Sequence, residues 1–271
     1  MVKKSINHLL RTFGLLGISD RLHFAMQFVR MKRRNRVFTA THPGVDLPPS
    51  YLVYESYAMD FRNYWEDGRS TAQYVLRSLA RHLELSGIVL LDWGCGPARV
   101  VRHIPGLLEG KGCRILGSDY NIETINWCQQ HIPGITFYRN GSEPPLELTT
   151  SSVDALYGIS VFTHLTPEQH LAWVDEIARI LSPGGVAFLT THGKAYRSNL
   201  LTKEKKEFDK GELIARGHAK IGHRTYTSFH PPEFMAKLFA TGGLEILEHL
   251  EGGPGSAEFS QDVWIVRRPR S

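Results

Sequence analysis

The strongest constraint on the fold is a short apolar run that leads directly into two closely spaced glycines. Residues 88–91 read Ile-Val-Leu-Leu, and positions 92–96 read Asp-Trp-Gly-Cys-Gly. Such a run is typical of a strand buried on both faces. Gly94 and Gly96 allow the backbone to approach a ligand closely, and a helix predicted to begin near Ala98 would offer unpaired amides. Because ligands bind at this edge of open α/β sheets, we expect a binding site here that includes Asp92.

Short apolar runs continue along the chain and alternate with segments of helical periodicity. They lie at residues 88–91, 114–117, 135–138, 153–159 and 186–190. This alternation predicts βαβ units and therefore a doubly wound, Rossmann-like α/β fold with a mostly parallel sheet. Two later runs, at 244–247 and 263–266, predict an antiparallel C-terminal edge.

One predicted helix has clear signals at both ends. Thr166 can cap it, Pro167 suits its first turn, and Gln169 completes a capping box. The helix should end at the Ser-Pro-Gly-Gly turn of residues 182–185. Its predicted buried stripe is made of Leu171, Val174, Ile177, Ala178 and Leu181.

A second acidic residue, Asp119, ends the second predicted strand. It lies about twenty residues beyond the glycines, where a carboxylate can accept hydrogen bonds from both hydroxyls of a ribose. The dinucleotide-binding pattern is incomplete, because Arg99 occupies its final glycine position. The pair of glycine turn and Asp119 therefore predicts a ribose-containing cofactor and argues against a nicotinamide-dependent dehydrogenase.

These motifs resemble those of class I S-adenosylmethionine-dependent methyltransferases, and the resemblance covers residues 87–192. Residues 92–96 are similar to the cofactor loop of the family, Asp119 to its ribose acid, and the Leu-Ser-Pro-Gly-Gly of residues 181–185 to the turn before its fifth strand. The resemblance implies S-adenosylmethionine as the cofactor. It also implies a set of contacts: the methionine part on Gly94 and Gly96, the ribose on Asp119, the adenine beside Tyr120, Asn140 and Gly141, and the sulfonium near Ser160 and Val161.

Further segments look like a bacterial subgroup of these enzymes that is often associated with glycan-modifying gene sets. They lie at residues 127–128, 143–146, 160–165 and 261–262. Ala98 stands where many members have a third glycine, and its side chain is small enough to keep the turn compact.

The function predicted from these features is methyl transfer to a small-molecule or sugar acceptor, with a hydroxyl as the acceptor group. Positioning of acceptor and donor should supply most of the catalysis, and a histidine could act as general base. His164 and His192 follow the fourth and fifth predicted strands, so we expect both to flank the acceptor pocket. Each could instead orient the site through a hydrogen bond to backbone. Arg69 could clamp the methionine carboxylate or be a solvated surface residue.

Two other functional classes remain as alternatives, a nucleic-acid or protein methyltransferase and a cofactor-binding protein without catalysis. Nucleic-acid methylation lacks its usual Asn/Asp-Pro-Pro-Tyr/Phe tetrapeptide, since residues 160–163 read Ser-Val-Phe-Thr. We therefore predict a small-molecule or glycan partner and not a nucleic acid. The sequence does not specify the oligomeric state.

The N-terminal segment carries most of the positive charge. Residues 1–36 contain nine Lys or Arg and one Asp, so this segment has a net charge of +8 while the remainder sums to −3. We divide the chain into a basic helical extension, residues 1–85, and a cofactor-binding domain, residues 86–271. The basic arm either packs on its own domain with its charges in water or makes peripheral contact with an anionic membrane surface.

A charged insertion at residues 193–230 is predicted to form a lid over the acceptor site. Its candidate acceptor-side residues are His218, His223, Arg224, Tyr226 and His230. No metal site is predicted, because this stretch lacks carboxylate–histidine spacing. No secretory signal is recognised, and three cysteines without metal-ligand spacing suit reduced thiols, so we expect a cytoplasmic protein.

Overall fold

The computed structural model describes residues 16–57, 59–216, 226–253 and 259–270. Its strands are β1 (Val89–Trp93), β2 (Arg114–Asp119), β3 (Thr136–Arg139), β4 (Val153–Gly158), β5 (Leu181–Thr191), β6 (Ile214–Arg216), β7 (Thr227–Phe229), β8 (Glu245–Leu250) and β9 (Asp262–Arg267). Seven of them form one sheet in the order β3-β2-β1-β4-β5-β9-β8, and β6 and β7 form a separate antiparallel hairpin.

The α-helices are α1 (Leu16–Thr41), α2 (Ser50–Ser56), α3 (Phe61–Ala80), α4 (Ile104–Leu107), α5 (Ile122–His131), α6 (Pro167–Ile180), α7 (Thr202–Phe208) and α8 (Pro232–Thr241). Short 3₁₀ segments lie at Val101–His103, Phe162–His164 and Lys194–Asn199. Within the described ranges, no helix combines the length and apolar character that crossing a bilayer requires.

The sheet has the predicted doubly wound, Rossmann-like topology. Strand β1 pairs in parallel with both β2 and β4, so the chain reverses its direction of winding between β1 and β4. The predicted antiparallel edge is confirmed, because β9 lies between β5 and β8 and runs antiparallel to both. The segments that follow β1 and β4 therefore pack on opposite faces of the sheet. The crevice between them is the usual ligand position in such sheets.

Alternate side chains of the central strands belong to two hydrophobic cores, one on each face of the sheet. On one face, Leu90 and Phe188 pack with Val75 of α3 and Ile125 of α5. The other face places residues such as Leu91 against α6 and α8. Helix α3 is therefore part of the main core, and the boundary predicted after residue 85 does not separate two independent cores.

Helix α6 has the predicted capping box between Thr166 and Gln169. Its buried stripe differs from the prediction, because Leu171 is exposed while Trp173 and Ile180 are buried. The helix ends at Ile180, directly before the predicted Ser-Pro-Gly-Gly segment. Residues 182–185 are part of β5, but they interrupt its pairing with β4, and Gly184 has a φ of +83°.

Candidate functional site

The turn after β1 requires glycine at two positions. Gly94 has a φ of +77°, and a Cβ there would lie 2.4 Å from Cγ2 of Val161. Gly96 has a φ of +51°. The amides of Gly94 and Cys95 both donate to the carbonyl of Ser118, at 2.8 and 2.9 Å, which joins the turn to the end of β2. Glycine is favoured here because left-handed backbone strains other residues.

The helix predicted to begin near Ala98 is absent from this part of the chain. Ala98 has a φ of +60°, and the chain passes through turns into the 3₁₀ segment and the short helix α4. The left-handed conformation at Ala98 prevents a helix from starting there. Binding groups at this edge therefore come from the turn itself and from neighbouring strand ends.

Asp119 is held by the backbone of the same turn. One carboxylate oxygen accepts from the Gly96 amide at 3.0 Å, and the other accepts from the Asn121 amide at 2.8 Å. The side chain is 8% exposed, and burial raises its pKa to about 6. Its two backbone donors fix the carboxylate at the cleft surface, where it can accept further hydrogen bonds from a ligand.

Asp92 lies deeper, at the end of β1. Its Oδ2 accepts a hydrogen bond of 2.7 Å from the hydroxyl of Tyr157 on β4. Burial raises the pKa of Asp92 to about 7 against the opposing effect of this hydrogen bond. The hydrogen bond therefore ties the end of β1 to β4, and the carboxyl group of Asp92 is more basic than an ordinary aspartate.

A cleft, called here the strand-end cleft, lies along the carboxyl ends of β1 to β4. The predicted cofactor residues that line it are Gly94, Gly96, Asp119, Tyr120, Asn140, Gly141, Ser160 and Val161. The Asn140 side chain donates to the Gly141 carbonyl at 2.6 Å, while its Oδ1 is buried and has no hydrogen-bond partner among the described residues. That orphaned acceptor is an expected partner for a donor on a bound base.

Other lining residues were missed by the sequence analysis. Glu55 and Ser56 reach the cleft from α2, and Gln169 and Trp173 reach it from α6. Gln169 and Trp173 also donate to the Ser142 carbonyl, at 3.0 and 3.2 Å, and so hold the loop after β3. No pattern in the N-terminal segment associated α2 with the sheet edge. The predicted buried stripe of α6 correctly included Val174 and Ile177 but omitted Trp173.

A second cleft, called the polar cleft, adjoins the first. Its walls include Tyr57, Asp67, Ser70, Thr71, Asp92, Arg99, Phe259, Ser260 and Gln261. Six residues line both clefts, namely Ser56, Gly94, Gly96, Pro97, Ile159 and Ser160. The two clefts therefore meet at the glycine turn.

Arg99 is the arginine that the structure places in this cleft. Its guanidinium lies 4.4 Å from the ring centroid of Tyr57 and donates to the Thr71 hydroxyl at 3.4 Å. The Tyr57 hydroxyl in turn donates to Asp67 at 2.5 Å. Burial lowers the pKa of Arg99 and raises that of Tyr57 to about 12. Tyr57 therefore keeps its proton at neutral pH.

Arg69 is not brought to either cleft. It is exposed on α3, whereas the preceding residue, Gly68, is buried against the backbone of Arg99. A Cβ at position 68 would lie 2.2 Å from the Arg99 carbonyl oxygen. Because successive helical residues are rotated by about 100°, the close contact at Gly68 directs Arg69 toward solvent. The prediction that Arg69 lines the site is wrong.

Ser160 lies at the junction of the two clefts in a left-handed conformation, with a φ of +63°. Its amide donates to Thr190 Oγ1 at 2.8 Å and its hydroxyl donates to Gln261 Oε1 at 2.9 Å. These bonds to β5 and to the residue before β9 stabilise a backbone that costs energy outside glycine. Non-glycine residues in this conformation occur often at functional sites.

The two predicted catalytic histidines lie in different places. His164 lines the strand-end cleft, and its Nδ1 is 2.9 Å from the Tyr226 carbonyl. His192 lines neither cleft. Its Nδ1 lies 3.1 Å from the Ser228 carbonyl, its ring stacks on Tyr196 at 4.1 Å, and burial lowers its pKa to about 4. The prediction that both flank one pocket is wrong for His192, because the β6–β7 hairpin covers it.

The described part of the predicted lid packs on its own small core, which contains Leu200, Phe208, Ile214 and Phe229. None of its described residues lines either cleft. Tyr226 and His230 are buried, while His218, His223 and Arg224 lie outside the described residues. In the described ranges, no group of three or more His, Cys, Asp or Glu side chains could hold a metal ion.

Comparison with known proteins agrees with this geometry. Residues 90–185 match the family described as a methyltransferase domain. A curated relative, the tRNA N(3)-cytidine methyltransferase METTL2 of Gallus gallus, is 21% identical over 168 residues, which are 59% of this chain and 44% of the relative. This chain thus spans less than half of that relative's length.

Solved structures share the fold at low sequence identity. An S-adenosylmethionine-dependent methyltransferase of Methanosarcina mazei superposes with a TM-score of 0.53 at 18% identity, covering 72% of this chain and 98% of the other. A putative methyltransferase in complex with the Haloferax volcanii Trm112 activator gives 0.53 at 16% identity, covering 83% of this chain and 100% of the other. The chain is therefore similar to a methyltransferase domain over residues 90–185, and it shares the fold of solved S-adenosylmethionine-dependent methyltransferases.

Proposed function

We propose that the protein binds S-adenosylmethionine in the strand-end cleft and transfers its methyl group to an acceptor in the polar cleft. The observation that carries this proposal is the position of Asp119 at the end of β2, where its carboxylate accepts from the Gly96 amide of the turn after β1. A carboxylate there suits the two hydroxyls of a ribose. The orphaned Asn140 Oδ1 suits the amino group of an adenine.

The methionine end of the cofactor would lie on the glycine turn, where both clefts meet. We assign Arg99, in place of Arg69, as the partner of its carboxylate, since Arg99 lines the polar cleft next to this turn. A guanidinium can pair with a carboxylate through two parallel hydrogen bonds. The bound sulfonium supplies an activated methyl group, so the remaining task of the protein is to orient the acceptor.

We favour a small polar acceptor, such as a sugar or glycan hydroxyl. The hydroxyl, amide and charged groups that line the polar cleft can hydrogen-bond such a molecule. The resemblance to glycan-associated methyltransferases points in the same direction. His164 is the remaining candidate base, because it lines the adjoining cleft while His192 is covered.

A nucleic-acid acceptor is the second candidate, and the relative named for tRNA methylation favours it. The catalytic part of the chain argues against it, since residues 37–271 have a net charge of −3. Binding of a polyanion normally depends on a surface rich in Lys and Arg. Transfer of labelled methyl groups to a panel of glycans and sugar nucleotides, with tRNA assayed in parallel, separates the two candidates.

Calorimetry with S-adenosylhomocysteine tests the cofactor assignment directly. We expect micromolar binding, and we expect Asp119→Ala to weaken it by about 1.5 to 3 kcal/mol, the scale of hydrogen bonds to a charged group. Asp175→Ala, a change at an exposed carboxylate on α6, is the matched control and should bind like the wild type. Failure of the folded wild type to bind would refute the proposal.

A further inference from the structure

Within the described residues, helix α1 packs on the rest of the protein through one of its faces. Phe38 on that face is buried, and the Asn35 side chain donates to the Met59 carbonyl at 3.1 Å. Nearer the start of the helix, on the same face, the ring of Phe24 contacts the ring of Tyr54, with centroids 5.2 Å apart. This face accounts for the attachment of α1 to α2 and α3.

The opposite face of α1 carries a second set of apolar side chains that nothing in the described structure covers. Leu22, Met26, Val29 and Val37 are 66%, 65%, 72% and 53% exposed. Their spacing places them on one stripe, with Arg33 filling the gap between Val29 and Val37. We call this set the α1 outer face. Single exposed apolar residues are common, but an aligned stripe of them on one helix is typical of a contact surface.

Basic residues border the α1 outer face on both sides. At about 100° per residue, Lys32 and Arg36 lie along one border and Arg30 and Arg34 along the other. All four are exposed. Arg34 pairs with Asp60 at 3.2 Å, and the other three take part in no ion pair within the described ranges. The only acidic residue of α1 is Asp20.

We propose that the α1 outer face docks on an anionic lipid bilayer, with the helix axis parallel to the membrane surface. An apolar stripe bordered by cations on both sides is the arrangement that buries aliphatic side chains at the acyl boundary and places guanidinium groups among anionic headgroups. The docked helix would hold the enzyme at a membrane. This inference is independent of the proposed chemistry in the two clefts.

Two other occupants fit the outer face less well. A second copy of the chain would bring two sets of arginines together, and like charges in contact are unfavourable. An RNA strand would pair with the arginines but would leave the aliphatic stripe in water, because single-stranded RNA is recognised through aromatic stacking, which Leu, Met and Val cannot supply.

Vesicle co-sedimentation of the full-length protein tests the proposal. Phosphatidylcholine vesicles containing phosphatidylglycerol should bind the wild type, and vesicles of phosphatidylcholine alone should not. The triple variant Leu22→Ser, Met26→Ser, Val29→Ser keeps every charge and should bind at least about tenfold more weakly. The triple variant Arg30→Gln, Arg33→Gln, Arg36→Gln keeps the apolar stripe and should lose about a hundredfold in affinity.

Matched controls carry the same substitutions on other surfaces. Leu201→Ser, Ile246→Ser, Leu250→Ser changes three exposed aliphatic residues, and Lys206→Gln, Lys210→Gln, Lys237→Gln removes three exposed cations. Both should bind vesicles like the wild type. The proposal is overturned if the wild type ignores anionic vesicles or if the aliphatic variant binds them unchanged. It is equally overturned if tRNA, added in the same assay, displaces the protein from vesicles and binds the aliphatic variant as tightly as the wild type.

Discussion

Arg99 differs from an ordinary surface arginine because its guanidinium is held both by an aromatic ring and by a hydrogen bond. The ring of Tyr57 lies 4.4 Å away, and Thr71 accepts one of its N–H groups. No sequence pattern distinguishes it from Arg69, because both are isolated arginines in helical or turn segments. The deciding contact, Gly68 against the Arg99 backbone, joins residues distant in the chain.

The role assigned to Arg99 can be isolated by comparing two nucleosides. We expect Arg99→Gln to weaken binding of S-adenosylhomocysteine by about 1.5 to 3 kcal/mol and to leave binding of 5′-methylthioadenosine unchanged, since the latter lacks the carboxylate. Arg69→Gln is the control and should alter neither. If Arg99→Gln weakened both ligands equally, its role would be to support the turn.

The raised pKa of Asp92 predicts how protein stability changes with pH. The pKa of Asp92 is about 7 in the folded protein and lower in the unfolded chain. At pH values between these two pKa values the folded state binds one more proton than the unfolded state, so the contribution of Asp92 to stability falls as pH rises toward 7. Asp92→Asn cannot ionise. Relative to the wild type, its free energy of unfolding in urea should therefore be higher at pH 8 than at pH 5, by about 2 kcal/mol.

The matched change Asp175→Asn, at a carboxylate in water, should give the same difference from the wild type at both pH values. A pH-independent effect of Asp92→Asn would mean that Asp92 is ionised throughout this range in the folded protein.

At the scale of elements, the parallel strands followed from the apolar runs, because a strand buried on both faces leaves a distinct signature in sequence. The β6–β7 hairpin left no such signature. Its strands are three residues each, and they cover the end of β5 through contacts such as that between Ser228 and His192. The predicted strand order led us to expect His192 at the cleft, but in the structure the later β6–β7 hairpin covers this residue.

We therefore expect the two histidine variants to differ in kind. His192→Ala should lower the free energy of unfolding by about 1 to 3 kcal/mol, because it removes the bond to Ser228 and the stacking on Tyr196, and should leave cofactor affinity unchanged. His164→Ala should lower turnover on the true acceptor by at least about a hundredfold, with partial rescue at higher pH. Denaturation, calorimetry and turnover measured on both variants distinguish these roles. Loss of turnover without loss of stability in His192→Ala would reverse the assignment.

For the molecule as a whole, the division at residue 85 does not describe how the chain builds its site. Helix α2 contributes Glu55 and Ser56 to the strand-end cleft, and α1 holds α2 in place through contacts such as that of Tyr54 with the Asp20 carbonyl at 3.0 Å. The charge distribution made the N-terminal segment look like a separate unit in the sequence. Charged residues, however, identify only the solvent-exposed face of a helix. The contacts of its buried face are made with residues that are distant in the sequence, so they could not be predicted from charge.

Two truncations measure this coupling. Removal of residues 1–34 should lower the free energy of unfolding and weaken binding of S-adenosylhomocysteine several-fold, because α2 loses its support from Asp20 and Phe24. Removal of residues 1–15 deletes none of the described contacts and should leave both quantities unchanged. Calorimetry and urea denaturation provide the readouts, and equal behaviour of the two truncations would show that α1 does not support the cleft.

Because six residues line both clefts, binding of a cofactor in one cleft should affect binding of an acceptor in the other. With a cofactor lying on the glycine turn, one wall of the polar cleft would be the cofactor itself, so affinity for an acceptor would rise with cofactor occupancy. Thermodynamic linkage requires the reverse effect to be equal in size. A search for acceptors by binding is therefore best made on protein saturated with S-adenosylhomocysteine, and a true acceptor should tighten the binding of that product.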